Sequence, residues 1–357
     1  MVRELNCSNP LFVTDRGLAE LPIVYDALAG LEESGIRFSL FSRVQPNPTG
    51  HSIDDGVATF RAGDHDMVIA FGGGSALDAG KAIALMVRQT RPIWDFEDIG
   101  DNWTLVDTSK PVPVIALPTT AGTGSELGRS SVITDTGQRR KMIIFHPIMM
   151  PQIAILDPAL TFDLPPELTA STGMDALCHA LETYITPNFH PMADGLALQA
   201  LRMINDALPK AYANGRDVQA RADMLVASGM ACVALQKGLG GVHALSHALG
   251  AVYDAPHGLL NAVLLPYVTE LNRSAAEERL AEIARVLRLP NSSGAGVVSW
   301  LKDLQKQLSI PPRLRELGVG FDRLDEVIAL AMSDPCAPAN PVRLIPENLR
   351  NVLTSAI

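Results

Sequence analysis

Three of the chain's eight histidines fall within the stretch GGVHALSHALGAVYDAPHG, residues 240–258. His243 and His247 are four residues apart, and His257 follows the turn sequence YDAP. On a helix, residues at i and i+4 share one face and can reach one ion. Earlier in the chain, ASTGMDALCHALETYIT (170–186) sets Asp175 and His179 at the same spacing among Met174, Ala176, Leu177 and Ala180. A charged pair on so apolar a helix needs a partner. A lone histidine on an apolar face is usually a core residue, but three of them with a remote Asp/His pair point to a metal. One carboxylate and three imidazoles suit Zn²⁺ or Fe²⁺, with a coordination position left open to solvent or substrate. The pattern is not HExxH, because Ala244 follows His243. Five candidates exceed four ligands, so one histidine is left to hold a ligand in place or to move a proton.

A second set of residues suits phosphate. FGGGSALDAGKAIAL (71–85) reads as a strand, three glycines, a serine and a helix. Consecutive glycines let backbone N–H groups approach a phosphate, and the helix N-terminus adds a favourable dipole. The loop is not a Walker A motif, since Ser75 stands where a glycine is required and Ala82 follows Lys81. Nor is it G-x-G-x-x-G, since Leu77 occupies the third glycine position. ALPTTAGTGSE (116–126) follows the next strand with hydroxyls and glycines able to wrap a pyrophosphate or a nicotinamide amide. Asp15, at the end of FVTD, can accept from a ribose 2′-hydroxyl or cap the turn at 17–21, and the sequence supports both equally.

The elements that must position these groups differ along the chain. PLFVTD (10–15), RFSLFS (37–42), DMVIAF (66–71), PVPVIALP (111–118) and QIAILD (152–157) read as buried strands, with helical stretches at 18–34 and 76–88 between them. That alternation predicts a mostly parallel sheet with helices on both faces. Strand-like runs then vanish, and 166–186, 192–212, 216–237, 275–288, 294–308 and 322–332 read as helices. The expectation is an α/β part over 1–162 and an all-helical part over 163–357, changing near Pro165–Pro166.

Composition narrows the partners. A net charge of −10 argues against nucleic acid or an anionic membrane as the main partner. No signal pattern follows MVRELNCSNP, and no run approaches the ~18–20 apolar residues that span a bilayer. Cys7, Cys178, Cys232 and Cys336 lack CxxC spacing, which reads as reduced thiols in a cytoplasmic protein.

Together these stretches resemble the iron-containing (group III) alcohol dehydrogenase family. GGGSALDAGKAIA, ALPTTAGTGSE, DPAL, GMDALCHALE, GLGGVHALSHALGAVYDAPHG and DPCAPANPVRLIPENL occur in family order and span nearly the whole chain. The resemblance implies the dehydroquinate synthase-like two-domain fold and a metal-dependent, NAD-linked alcohol dehydrogenase or aldehyde reductase. Its substrate would be a small primary alcohol, aldehyde or hydroxy acid. By the same resemblance Asp175, His179, His243 and His257 hold Fe²⁺ or Zn²⁺, and His247 is the catalytic proton-handling residue beside them. Gly73, Gly74 and Ser75 match the pyrophosphate loop, with Asp78 behind it. Thr119, Thr120 and Thr123 match the second cofactor loop. Lys141 and Asn47 match further cofactor contacts, and Asp15 matches the acidic position associated with NAD over NADP.

The chain starts later than the family pattern, so the first N-terminal β-segment, which often helps pair subunits, is expected to be largely missing; a homodimer or higher homo-oligomer is still implied. Ser130 and Ala234 stand where relatives often carry bulkier residues, which implies a roomier substrate pocket in the helical part. Two other branches share the superfamily. Maleylacetate reductases typically lack the GxDAxxHA carboxylate, and lyases or cyclases of the dehydroquinate-synthase type use a Glu/His/His set. The Asp/His/His/His pattern argues against both. A non-catalytic metal-binding or NAD-sensing protein is the remaining alternative, and an assay for NADH formation from alcohols separates it.

Overall fold

The computed structural model describes residues 1–138 and 140–357. Two compact units divide the chain: Met1–Thr120 with Ser125–Leu160, and Ala121–Gly124 with Thr161–Ile357.

The first unit alternates β1 (Pro10–Asp15), α1 (Pro22–Glu33), β2 (Ser39–Val44), α2 (Gly50–Ala62), β3 (Met67–Gly72), α3 (Gly74–Met86) and β4 (Val114–Pro118). The hairpin strands β5 (Ser130–Asp135) and β6 (Arg140–Phe145) follow, then the short β7 (Ile153–Ala154). Among the described residues, five strands form a parallel sheet in the order β2-β1-β3-β4-β7. Every residue of β3 is buried, as expected of a central parallel strand covered on both faces, and its run MVIAFG is accordingly continuous rather than alternating. One face buries Leu11, Val13, Val68, Ala70, Leu77 and Ile83; the other buries Phe12, Met67, Ile69 and Phe71 with Val24 of α1. The chain winds outward from β1 to β2 and then back past β1 to β3. The strand order therefore reverses between β1 and β3, where open α/β sheets bind ligands at the carboxyl ends. Those ends are Asp15 and Gly72.

Two features of this unit differ from the sequence expectation. The antiparallel pair β5–β6, in register from Ser130↔Phe145 to Asp135↔Arg140, was not expected, although alternate residues of SSVITD are buried, as the strand period requires. The helix α2 was hidden by its glycines, yet its start carries a capping box: Ser52 N–H donates to Thr49 Oγ1 and Thr49 N–H to Ser52 Oγ.

Lys81 of α3 is 1% exposed. Its ammonium donates to the carbonyls of Ser125 (3.0 Å), Gly128 (3.3 Å) and Ser130 (2.5 Å), with Asp78 Oδ1 at 3.4 Å. A charge can stay this deep only when so paired, and here it ties the 125–130 segment to α3. Beside it Glu126 is buried, and its Oε1 has no hydrogen-bond partner among the described residues. Burial pushes its carboxyl up to about 7, against the lowering pull of its own N–H and of Lys81. A folded pKa above the unfolded value means that this group's stabilisation is complete below about 4.5 and is lost as pH rises toward 7, roughly 3 kcal/mol in all. We expect Glu126→Gln to flatten the fall in urea midpoint between pH 5 and 7; an unchanged slope would rule this out.

The second unit comprises α4 (Pro166–Ile185), α5 (Pro191–Ala213), α6 (Val218–Ala234), α7 (Gly241–Tyr253), α8 (His257–Val286), α9 (Gly294–Gln307), α10 (Leu324–Ser333) and α11 (Pro346–Ala356). The expected helix at 275–288 is the second half of α8, which is interrupted at Ala276 (φ −122°, ψ 18°). The helix α11 was not expected. Residues Val218–Lys237 correct the expectation about membranes: they are long and apolar enough to cross one by length and composition. More than half of that stretch is buried, and it packs against α4 and α5, as a core helix does. Ser130, expected in the helical part, lies on β5 of the first unit, and Ala234 is fully buried at the end of α6.

Candidate metal centre and nucleotide-binding loops

The helix α4 presents Asp175, His179 and Glu182 at i, i+4 and i+7, all three buried. α7 brings His243 and His247, and α8 begins at His257 with Asn261 one turn on. Asp175 Oδ1 lies 4.0 Å from His179 Nε2, 3.9 Å from His243 Nε2 and 3.6 Å from His257 Nε2. The rings of His179 and His243 stack at 4.7 Å. Asn261 Nδ2 donates to Asp175 Oδ1 at 2.7 Å and faces Nε2 of His243 (3.3 Å) and of His257 (3.1 Å). The four residues named for the metal are thus brought together within the helical unit.

Glu182 explains how His243 is aimed. Its Oε1 accepts the Val242 N–H at 2.7 Å, and Oε2 accepts the His243 N–H at 3.3 Å and stands 2.7 Å from His243 Nδ1. Burial pushes this carboxyl up to about 7, and the N–H groups of Val242, Gly240 and His243 pull it down. The Oε2–Nδ1 contact fixes the plane of the ring and leaves its other nitrogen, Nε2, facing Asp175. Burial, then the neighbouring His179, hold His243 far below its ordinary value, so the ring is neutral, the form that binds a metal. The glycines before it are also explained. A Cβ at Gly240 would come within 2.9 Å of Glu182 Oε1 and 2.8 Å of Asn340 Oδ1, and the latter oxygen accepts the Gly241 N–H at 3.0 Å. The amides of the first turn of α7, which have no partner within the helix, are therefore satisfied by buried side chains.

A divalent cation fits this donor set: ligand atoms of Asp175, His179 and His243 lie within 4.8 Å of one another, and His257 Nε2 lies 3.6 Å from Asp175 Oδ1. A carboxylate behind a ligating histidine is the usual supporting arrangement. Glu182 and Asn261 were not singled out from sequence, although their spacing from His179 and His257 on the same helices was visible. Asp334, whose Oδ2 lies 2.9 Å from His247 Nδ1, opens the DPCAPANPVRLIPENL stretch, but nothing local pairs it with a residue 87 positions away. His247 itself stacks on His257 with ring centroids 5.3 Å apart.

In the first unit, Gly72 has φ +145°, and a Cβ there would meet Ala76 Cβ at 2.7 Å, so the turn from β3 into α3 requires glycine. Gly73 is the N-cap of α3, without a side-chain cap bond, and Gly74 and Ser75 form its partly exposed first turn. Thr119 N–H donates to the Gly72 carbonyl at 3.0 Å, and Thr120 Oγ1 lies against Gly73. Lys141 Nζ donates to Asn47 Oδ1 at 2.8 Å. Asp15 Oδ1 accepts the Leu18 N–H at 2.9 Å, the capping contact, while Oδ2 points toward Gly72. Thr123 lies in the 121–124 segment of the helical unit, held there by a hydrogen bond from Ser228 Oγ to the Gly122 carbonyl.

Asp78, expected behind the pyrophosphate loop, binds the chain that follows β4. Its Oδ1 accepts from Ser125 Oγ at 2.5 Å and its Oδ2 from the Val132 N–H at 2.8 Å. Both oxygens thus hold the 125–132 segment against α3.

The family model described as iron-containing alcohol dehydrogenase matches residues 1–158, and that described as the C-terminal part of the Fe-containing alcohol dehydrogenase family matches 169–357. The chain is 36% identical to alcohol dehydrogenase 4 of Saccharomyces cerevisiae, over 99% of this chain and 92% of the relative. It is 35% identical to the NAD-dependent methanol dehydrogenase of Bacillus methanolicus, over 100% and 94%. The crystal structure of a 1,3-propanediol oxidoreductase superposes with a TM-score of 0.94 at 35% identity, covering 100% of this chain and 94% of that one.

Proposed function

The chain belongs to the iron-containing alcohol dehydrogenase family, and from that membership we propose that it interconverts a small primary alcohol and its aldehyde with NAD and a divalent iron. The observation that carries this reading is the convergence of Asp175 Oδ1 with the Nε2 atoms of His179, His243 and His257, each within 4.0 Å. When bound, the metal supplies Lewis-acid polarisation of the alcohol oxygen, and the nicotinamide supplies the hydride acceptor. Asp175, His179, His243 and His257 would hold the metal, with Glu182 orienting the His243 ring. His247 takes the hydroxyl proton and passes it toward solvent. Gly73, Gly74 and Ser75 bind the pyrophosphate at the α3 N-terminus, and Thr119, Thr120, Thr123, Asn47 and Lys141 complete the nucleotide contacts. The names of the relatives support primary alcohols and NAD. A cytoplasmic homo-oligomer completes the reading.

The test is direct. Protein loaded with Fe²⁺ and NAD should form NADH with at least one of methanol, ethanol, 1,3-propanediol or 4-hydroxybutyrate; no NADH with any member of a broad primary-alcohol panel would overturn the proposal.

Asp15 sets the cofactor preference in this reading, because its carboxylate repels a 2′-phosphate. Asp15→Gly is expected to move the ratio of kcat/KM for NAD over NADP by roughly 10–100-fold, the size of one close charge interaction, about 1.4–2.8 kcal/mol. An unmoved ratio, with a loss of stability alone, would leave Asp15 as the cap of the turn at Leu18.

A further inference from the structure

We infer that Asp334 is the positioning residue of His247: it locks the ring in the Nδ1–H tautomer and thereby keeps Nε2 as the proton-accepting nitrogen. The inference rests on the reading of His247 as the proton-handling residue.

The His247 ring lies parallel to His257, at an interplanar angle of 14°. Stacking fixes the plane of an imidazole but is indifferent to a half-turn that exchanges its nitrogens. A directional contact must break that degeneracy, and the 2.9 Å contact from Nδ1 to Asp334 Oδ2 does so. Asp334 is itself anchored, since its Oδ1 accepts the Cys336 N–H at 2.8 Å and its side chain is 11% exposed. Burial alone would raise its carboxyl, but the bonds from His247 and Cys336 outweigh burial and hold it below the usual carboxylate range. An ionised carboxylate only accepts, so the proton of this contact belongs to Nδ1. Six residues on, Asn340 takes the Gly241 N–H, and its own amide is fixed by Asn272 Oδ1 and the Val342 carbonyl, both at 2.7 Å. The 334–340 segment thus grips α7 at its first turn and again at His247. An Asp behind a histidine performs the same task in hydrolase triads, where replacement by Asn leaves the geometry but inverts the tautomer.

The experiment is a double-mutant cycle on the metal-loaded full chain, with Asp334→Asn, His247→Ala and the pair. Asp334→Asn should keep its metal complement and its KM values for alcohol and NAD within about twofold, while kcat falls about 10²-fold. In the His247→Ala background the same change should cost less than about twofold, because residues that act as a unit are not additive. Independently, ¹⁵N spectra of histidine-labelled protein, loaded with zinc to keep it diamagnetic, should show the His247 proton on Nδ1 in the parent and moved to Nε2 in Asp334→Asn. Additive losses, an unaffected kcat in Asp334→Asn, or loss of its metal would each overturn the inference. If His247→Ala turned over at the parent rate, the proton-handling reading would fall, and with it the functional half of the inference, whereas the ¹⁵N spectra would still decide whether Asp334 locks the tautomer.

Discussion

Replacing His257 by alanine is expected to lower divalent-metal affinity by about 10²–10³-fold, with dehydrogenase activity falling in step at limiting metal. The magnitude follows from apparent binding energies of about 10–16 kcal/mol for four-ligand sites, or roughly 2.5–4 kcal/mol per ligand. His257 is the suitable position because its side chain is 29% exposed at the start of α8, so its removal opens no core cavity. The far-UV circular dichroism of the variant should match the parent's. His243→Ala is a poorer test, since it strands the buried Glu182 carboxylate and adds a folding cost of about 3–5 kcal/mol. Metal binding is read by equilibrium dialysis with elemental analysis. A full complement at parental affinity in His257→Ala would remove His257 from the ligand set. His247, stacked beside it, would then be the next candidate.

Glu182 carries two burdens, and its replacement should separate them. Glu182→Ala removes the acceptor of the Val242 and His243 N–H groups and the partner of His243 Nδ1. Leaving such donors buried and unpaired costs about 1–3 kcal/mol each, so a loss of roughly 3–5 kcal/mol is expected in urea unfolding, together with weaker metal binding. Glu182→Gln keeps one oxygen for the backbone amides but can turn its NH₂ toward His243 Nδ1. That would move the ring proton to Nε2, the nitrogen that faces Asp175. The Gln variant, which leaves the His243 N–H without its acceptor, should lose about 1–3 kcal/mol of stability, less than the Ala variant, while binding metal about 10–100-fold more weakly, the usual cost of losing a supporting carboxylate. Parental metal affinity in Glu182→Gln would show that Glu182 serves only as the cap of α7.

Much of this was legible because it is local. Helix period alone puts Asp175 and His179 on one face, and His243 and His247 on another. Short apolar runs bounded by Gly, Pro and Asp mark the parallel strands, and runs such as MVIAFG are continuous because both faces of the sheet are covered. Three glycines after β3 mark a turn that the chain makes with φ +145° at Gly72. The helix α2 and the β5–β6 hairpin were missed although their signals were local, the first masked by glycines and the second by weak alternation. What no local pattern contains is the pairing of side chains far apart in sequence. That Asp78 is consumed by Ser125 and Val132, that Glu182 aims His243, that Asn261 donates into the ligand cluster and that Asp334 meets His247 all depend on how helices and loops pack. A buried polar group must find its partner wherever packing supplies one, and sequence spacing is blind to that. The chain itself thus determined which residue types could do the chemistry; tertiary structure decided which nitrogen and which oxygen of each is free to do it.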